Sequence, residues 1–378
     1  MLDPFFDWIK RLYALIISAI KGTYKAILAP FVYLYTLYKT SGWILRGILL
    51  VLLIPLFVTY GWFIWSAMWI RGYDINYADK YENGELTVTS GEQVSAEGGS
   101  SDSKTCGRSS IARVSADLID FNVNQNSWIS SMPAYKAGFF GFGWDNTPWL
   151  DNKASFQRGV HQAVQRTAVE LTDTMGRIRG TSEVNRDLQG ARSAVQFDEF
   201  TWYFNPFDSK RPFGPTTKTP TYYRGAISQF RSFNTALEKC QATFDARADN
   251  LRTLLDRIAK DIGSTSASIK RRSEASNAGW FDFYADNQFM YAKGQLYGYY
   301  GILRAAHSDF RGIIEKRNLE DVWNNMESQI RSALELDPMI ISNGKEDGWL
   351  MPTHVTTMGF YVLRVRSNLV EIRSVLDR

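Results

Sequence analysis

The chain has 378 residues, 45% hydrophobic and 22% charged, a composition ordinary for a globular protein. Three histidines, two cysteines and no HExxH or CxxC pattern argue against a histidine-rich metal site. The formal net charge of +4 lies wholly within residues 1–46, and the remaining residues balance to zero, which argues against a nucleic-acid-binding domain.

Residues 5–28 predict an amphipathic helix. Asp7, Arg11, Ala14, Ser18, Lys21 and Lys25 recur at spacings of three and four and form a narrow polar stripe among bulky apolar residues. Such a helix suits the plane of a membrane interface, with Trp8, Lys21 and Lys25 at the lipid boundary. Pro30 is expected to stop or bend it, and an aromatic stretch, 31–38, continues to the end of this 1–40 segment. The rival is a second span over 12–38. Lys21 and Lys25 near its middle would each cost about 2.5–3.5 kcal/mol.

Residues 47–70 form a run of 24 without a charge, enough to cross a hydrocarbon core of about 30 Å at about 1.5 Å per residue. The spanning segment is read as 43–71, with Arg46 and Arg71 at its ends and Trp62, Trp65 and Trp69 crowding the boundary after it. Residues 74–102 carry seven acids and one lysine, whereas the basic excess precedes the span. The positive-inside rule then predicts a cytoplasmic N-terminus and a large domain on the outer face of the cytoplasmic membrane.

Residues 72–105 read as an acidic Gly/Ser linker, and 106–378 as a helical domain. A short helix is expected at 111–121, followed by a loop, 128–151, rich in aromatics and glycine. A helix over 154–179 and a second aromatic loop over 197–220 follow. Ile227, Phe230, Asn234, Leu237, Gln241, Phe244, Leu251, Leu255 and Ile258 belong to a seam of alternating three- and four-residue spacings. It predicts one long helix over 221–273, closing either within the chain or between copies. Further seams run from Leu296 to Ile313, Leu319 to Ala333 and Met358 to Leu376, with breaks at Asn318, at Asp337-Pro338 and at 342–344. Gly294, Gly298 and Gly301 beside tyrosines suggest close helix approach. The fold class is mainly α: one transmembrane helix plus an extramembrane helical bundle with long coiled-coil-like arms.

No nucleotide-binding glycine motif appears, and spacing suggests no acid–base pair. His161 reads as a packing residue and His354 as a capping or surface residue. Three Asp-Asn pairs, 151–152, 249–250 and 286–287, suit turns and caps better than a cation site. No catalytic residue, cofactor or metal is assigned. Cys106 and Cys240 either form one disulfide or remain two thiols. Phe139, Phe140, Phe142, Trp144, Trp149, Trp202, Tyr203 and Phe204 form a candidate partner surface, since aromatic residues dominate binding hot spots.

LDNKASFQRG at 150–159, GRIRGTSEVNRDL at 176–188, FDARADNLRTLLDRIAKDIGS at 244–264 and GFYVLRVRSNLVEIRSVL at 359–376 resemble the recurring blocks of an uncharacterised proteobacterial family, a domain of unknown function. The resemblance implies a single-pass inner-membrane protein of a Gram-negative envelope and brings no catalytic residues. The function expected is a non-enzymatic periplasmic scaffold, adaptor or assembly subunit, oligomeric through its seams and aromatic loops. Expected partners are membrane lipid and either further copies or other envelope proteins. A peptidoglycan- or lipid-binding module is the alternative, and a hydrolase with an unfamiliar site the third reading.

Overall fold

The computed structural model describes residues 3–82, 93–94, 107–139, 142–177, 184–203, 214–275, 279, 282–345 and 351–377; the side chains of 3–9, 12, 16, 20, 23, 26, 27, 93, 94, 146 and 275 are not among those described. Two compact units divide the chain, residues 1–62 and 63–378.

The first unit holds α1 (Asp3–Thr40) and most of α2 (Trp43–Met68). Pro30 does not end α1, which runs through it. The chain reverses at Ser41-Gly42, and the Phe31 and Phe57 rings lie 6.4 Å apart, so α1 turns back beside α2 instead of running away from it. Lys21 and Lys25 are exposed. Arg46 donates to the Lys39 carbonyl at 2.9 Å and lies over the Tyr38 ring. Among the described residues only α2 is long and apolar enough to cross a membrane.

The second unit begins with the end of α2 and a 3-10 stretch, Ile75–Tyr81. In chain order come β1 (Gln93–Val94), α3 (Ser110–Asp120), α4 (Pro133–Ala137), α5 (Asn152–Glu170), α6 (Arg186–Val195), α7 (Thr219–Glu238), β2 (Phe244–Asp245) and α8 (Ala248–Ala275). The last elements are α9 (Ala285–Asp309), α10 (Arg311–Lys316), α11 (Glu320–Leu334) and α12 (His354–Leu376). Strands β1 and β2 pair antiparallel. The fold is mainly α, as the seams imply. Helix α9 is central, with α3, α5, α8, α11 and α12 packed around it. Helices α5 and α9 meet backbone to backbone: a Cβ on Gly159 would strike the Tyr291 carbonyl oxygen, and one on Gly294 that of Phe156.

The expected long helix is two helices. Cys240 takes a left-handed backbone, φ 57°, while its N–H bonds to Leu237 O and that of Gln241 to Ala236 O. That pair of bonds is a Schellman end, which stops α7 and turns the chain into β2. The three/four pattern survives the break because both helices bury their stripe in one core. Ile227, Phe230, Leu237, Phe244, Leu251, Leu255 and Ile258 are buried, and only Gln241 of the named seam is exposed. Asn234 exchanges two hydrogen bonds with the Ser109 backbone, 2.9 and 3.0 Å. The seam therefore closes inside the chain. Asn318 does mark a break, at φ 51°.

Two further expectations are corrected. The helix read as 154–179 leaves α geometry at Leu171, where a π turn, Leu171–Met175, ends it; α6 then forms in a stretch to which no helix had been assigned. The segment 73–82 is packed on the bundle and is not a linker, as described next; 83–92 and 95–106 lie outside the described residues.

Candidate functional site

The clearest constructed feature is the junction at which α2 leaves its helical path and enters the bundle. Helix C-termini expose carbonyls without intrahelical donors. At α2 a buried ammonium supplies the donors: Lys153 Nζ donates to Ser66 O and Trp69 O, both at 2.8 Å. Lys153 stands on the first turn of α5, and burial pushes its pKa down to about 8. Next in the chain, Asn126 pairs with the Arg71 backbone: it accepts from Arg71 N at 2.9 Å and donates to Arg71 O at 3.0 Å. A π turn, Phe121–Gln125, places that asparagine just beyond α3.

Three tyrosines four residues apart then anchor the following turns. Tyr73 donates to Leu334 O at 2.9 Å. Tyr77 donates to Tyr297 O at 2.5 Å and accepts from Gly301 N at 3.0 Å. Tyr81 donates to Asp117 Oδ2 at 2.6 Å. The rings of Tyr73 and Tyr77 stack on Tyr297 at 5.2 and 4.3 Å. Gly301 is bare because a Cβ there would strike the Tyr77 hydroxyl. Neither Lys153 nor Asn126 stands out in the sequence. The spacing of Tyr73, Tyr77 and Tyr81 directly after an apolar run was the available signal.

A polar groove of about 490 Å³ opens on the other side of the start of α5, lined among others by Ser155, Arg158, Ser264, Ser268, Arg271 and Tyr284. Nearby, the aspartates of two of the three Asp-Asn pairs, Asp151 and Asp286, are buried close enough for their charges to interact. Burial pushes Asp151 up to about 7, partly offset by the Asn287 amide, and pushes Asp286 up to about 8, reinforced by the charge of Asp151. One oxygen of each carboxyl, Oδ2, is buried without a hydrogen-bond partner. A carboxyl whose pKa is raised on folding binds more protons folded than unfolded between the two values, so stability falls as pH rises. The chain is expected to lose stability from about pH 4 to pH 8 on this account. Asp286→Asn should flatten that slope and raise the melting temperature at pH 8 by several degrees, at about 2–4 °C per kcal/mol. Melting curves between pH 5 and 8 check it; an unchanged slope rejects it.

The histidines form no triad among the described residues. His161 Nε2 bonds to Val195 O at 2.8 Å and its ring stacks on Tyr223, while burial pushes its pKa down to about 4. His354 Nδ1 accepts from Ser342 N at 3.1 Å. Ser342 Oγ approaches His354 Nδ1 at 3.0 Å but also lies 2.6 Å from Pro352 O, and no described carboxylate orients that imidazole. His307 pairs with Glu320 at 2.8 Å.

The remaining sites expected from sequence fall as follows. Trp62, Trp65 and Trp69 are exposed, and Arg71 lies over the Trp65 ring. The Trp8 side chain lies outside the described residues. Cys240 is disulfide-bonded; Cys106 lies outside the described residues. Of the aromatic surface, Phe139, Phe142, Trp149 and Tyr203 are exposed and Trp202 is half-buried. Trp144 is a correction, being buried against Phe63. Phe140 and Phe204 lie outside the described residues.

Fold and junction define a class: a helical bundle built directly onto the end of a helix long and apolar enough to span a membrane. Residues 143–278 and 265–378 match the family described as an uncharacterised protein conserved in bacteria (DUF2333), and the chain belongs to that family. No curated protein and no solved structure matches it.

Proposed function

We propose that the protein is a non-enzymatic scaffold or adaptor of the bacterial inner membrane, with α2 spanning the bilayer and the bundle in the periplasm. The observation that carries this is the junction. Lys153, Asn126 and three tyrosines fasten residues 66–81, which follow directly on the apolar run, to the bundle, and a domain held this close to the end of a span suits an assembly platform at the bilayer surface. The basic turn around Lys39 and Arg46 stays in the cytoplasm under the positive-inside rule. The side of the N-terminus depends on whether α1 follows α2 through the bilayer, and a reporter fused there reads it.

Purification in mild detergent after in-cell crosslinking tests the reading. Specific envelope proteins or defined multiples of the chain are expected; a monomer with no partner at native expression rejects it. A second reading, a peptidoglycan-binding module, draws on the polar groove with its arginines, hydroxyls and Tyr284. Retention on purified sacculi that is lost in Arg271→Ala supports it, and no retention removes it.

A further inference from the structure

We infer that residues 133–139 and 142–150 form a lipid-binding element, seated in the outer leaflet beside the last turns of α2. The inference rests on the reading that α2 crosses the membrane. Its argument is one of depth. Phe63 is fully buried, with its ring 4.6 Å from Trp144 and 6.2 Å from Tyr135. Ser66 and Ala67, on the next turn, are buried as well. Protein, not lipid, therefore covers one face of the last turns of α2.

Phe63 lies five residues before Met68, where α2 ends, or about 7.5 Å along the helix. The helical part of the uncharged run, residues 47–68, is about 33 Å long against a hydrocarbon core of about 30 Å. Even if the whole excess of about 3 Å lies on the bundle's side, Phe63 remains about 4 Å inside the hydrocarbon. A loop that wraps Phe63 must sit at the depth of the headgroups and upper acyl chains.

The loop is built for that depth. Gly138 has φ 65°, and Phe139 and Phe142 then exchange two backbone hydrogen bonds, 2.8 and 3.0 Å. This closed tip satisfies polar backbone groups that lipid cannot. Trp144 Nε1 donates to Ala134 O at 2.8 Å. What the loop turns outward is aromatic: Phe142 is 73% exposed, Trp149 57% and Phe139 52%. Lys136, also exposed, adds a cation suited to phosphate headgroups. Aromatic rings with a snorkelling lysine are the composition of a membrane interface. Continuity with the span selects the bilayer as the occupant over a protein partner.

The test uses the full chain in phosphatidylethanolamine–phosphatidylglycerol vesicles, nitroxide-labelled at Phe142→Cys, Phe139→Cys, Trp65→Cys or Lys270→Cys, with the unsubstituted chain reporting background labelling. Collision with oxygen and with a water-soluble nickel chelate is compared. Labels at 142 and 139 are expected to match 65, with an oxygen-to-nickel ratio several-fold above that at 270. Water-like labels at 142 and 139 with a lipid-like label at 65 overturn the inference while leaving the span intact. Water-like labels at all positions overturn the span and the inference with it.

Discussion

Alanine at Gly294 is expected to destabilise the bundle severely. The added Cβ would lie inside contact distance of the Phe156 carbonyl oxygen and Cα, which are backbone atoms with no rotamer to change. Gly159, directly across, has the same relation to the Tyr291 carbonyl and the Gln295 amide. Relief requires α5 and α9 to move apart, and α9 is the helix around which the rest is packed. Overpacking a core costs about 1–3 kcal/mol when side chains can adjust. With backbone on both sides the loss should exceed about 3 kcal/mol, a large share of the roughly 5–15 kcal/mol that holds a domain together. Gly225, within α7, is the control: a Cβ there meets nothing, and alanine should stabilise by about 0.4–1 kcal/mol. Circular dichroism melts of the two variants in detergent decide the matter. A Gly294→Ala chain melting within 2–3 °C of the parent would mean that the helices do not approach as described.

Lys153→Met should loosen the junction after α2 without unfolding the bundle. Methionine keeps most of the volume and removes the ammonium that serves Ser66 O and Trp69 O. Hydrogen bonds to charged groups contribute about 1.5–3 kcal/mol each. A cation at a helix C-terminus adds about 0.3–1 kcal/mol. The loss is local, so amide exchange at Tyr73 and Tyr77 is expected to accelerate by at least tenfold, the equivalent of about 1.4 kcal/mol. Amides of α12, which packs on α8 and α11, should keep their protection. Unchanged exchange at residues 73–81 would show that Asn126 and the tyrosines suffice.

What the sequence revealed, it revealed through periodicity. The uncharged run, the seams of α9, α11 and α12, and the glycines at 294, 298 and 301 are all local patterns with a direct physical reading. The Asn318 break was visible because asparagine tolerates a left-handed backbone. The same conformation at Cys240 was not, because cysteine gives no such signal and the heptad spacing runs on across the turn. Composition misled at 72–82, where Asp74, Asp79 and Glu82 suggest a solvated linker while the tyrosines between them do the packing. The junction and the buried Asp151–Asp286 pair depend on segments more than fifty residues apart, and no window along the chain joins them.

The tethering of the bundle has a mechanical meaning. A domain on a flexible leash explores a volume that grows with leash length, roughly 5–6 Å times the square root of the residue number. Here the leash is absent from the exit of α2 through Tyr81, so the bundle has no such freedom about that exit. Under the proposal that α2 spans a bilayer, encounter with a partner becomes a search within a thin layer above the membrane plane. Torque applied at residues 66–69 also has no slack in which to dissipate: it passes through Lys153 directly into the bundle.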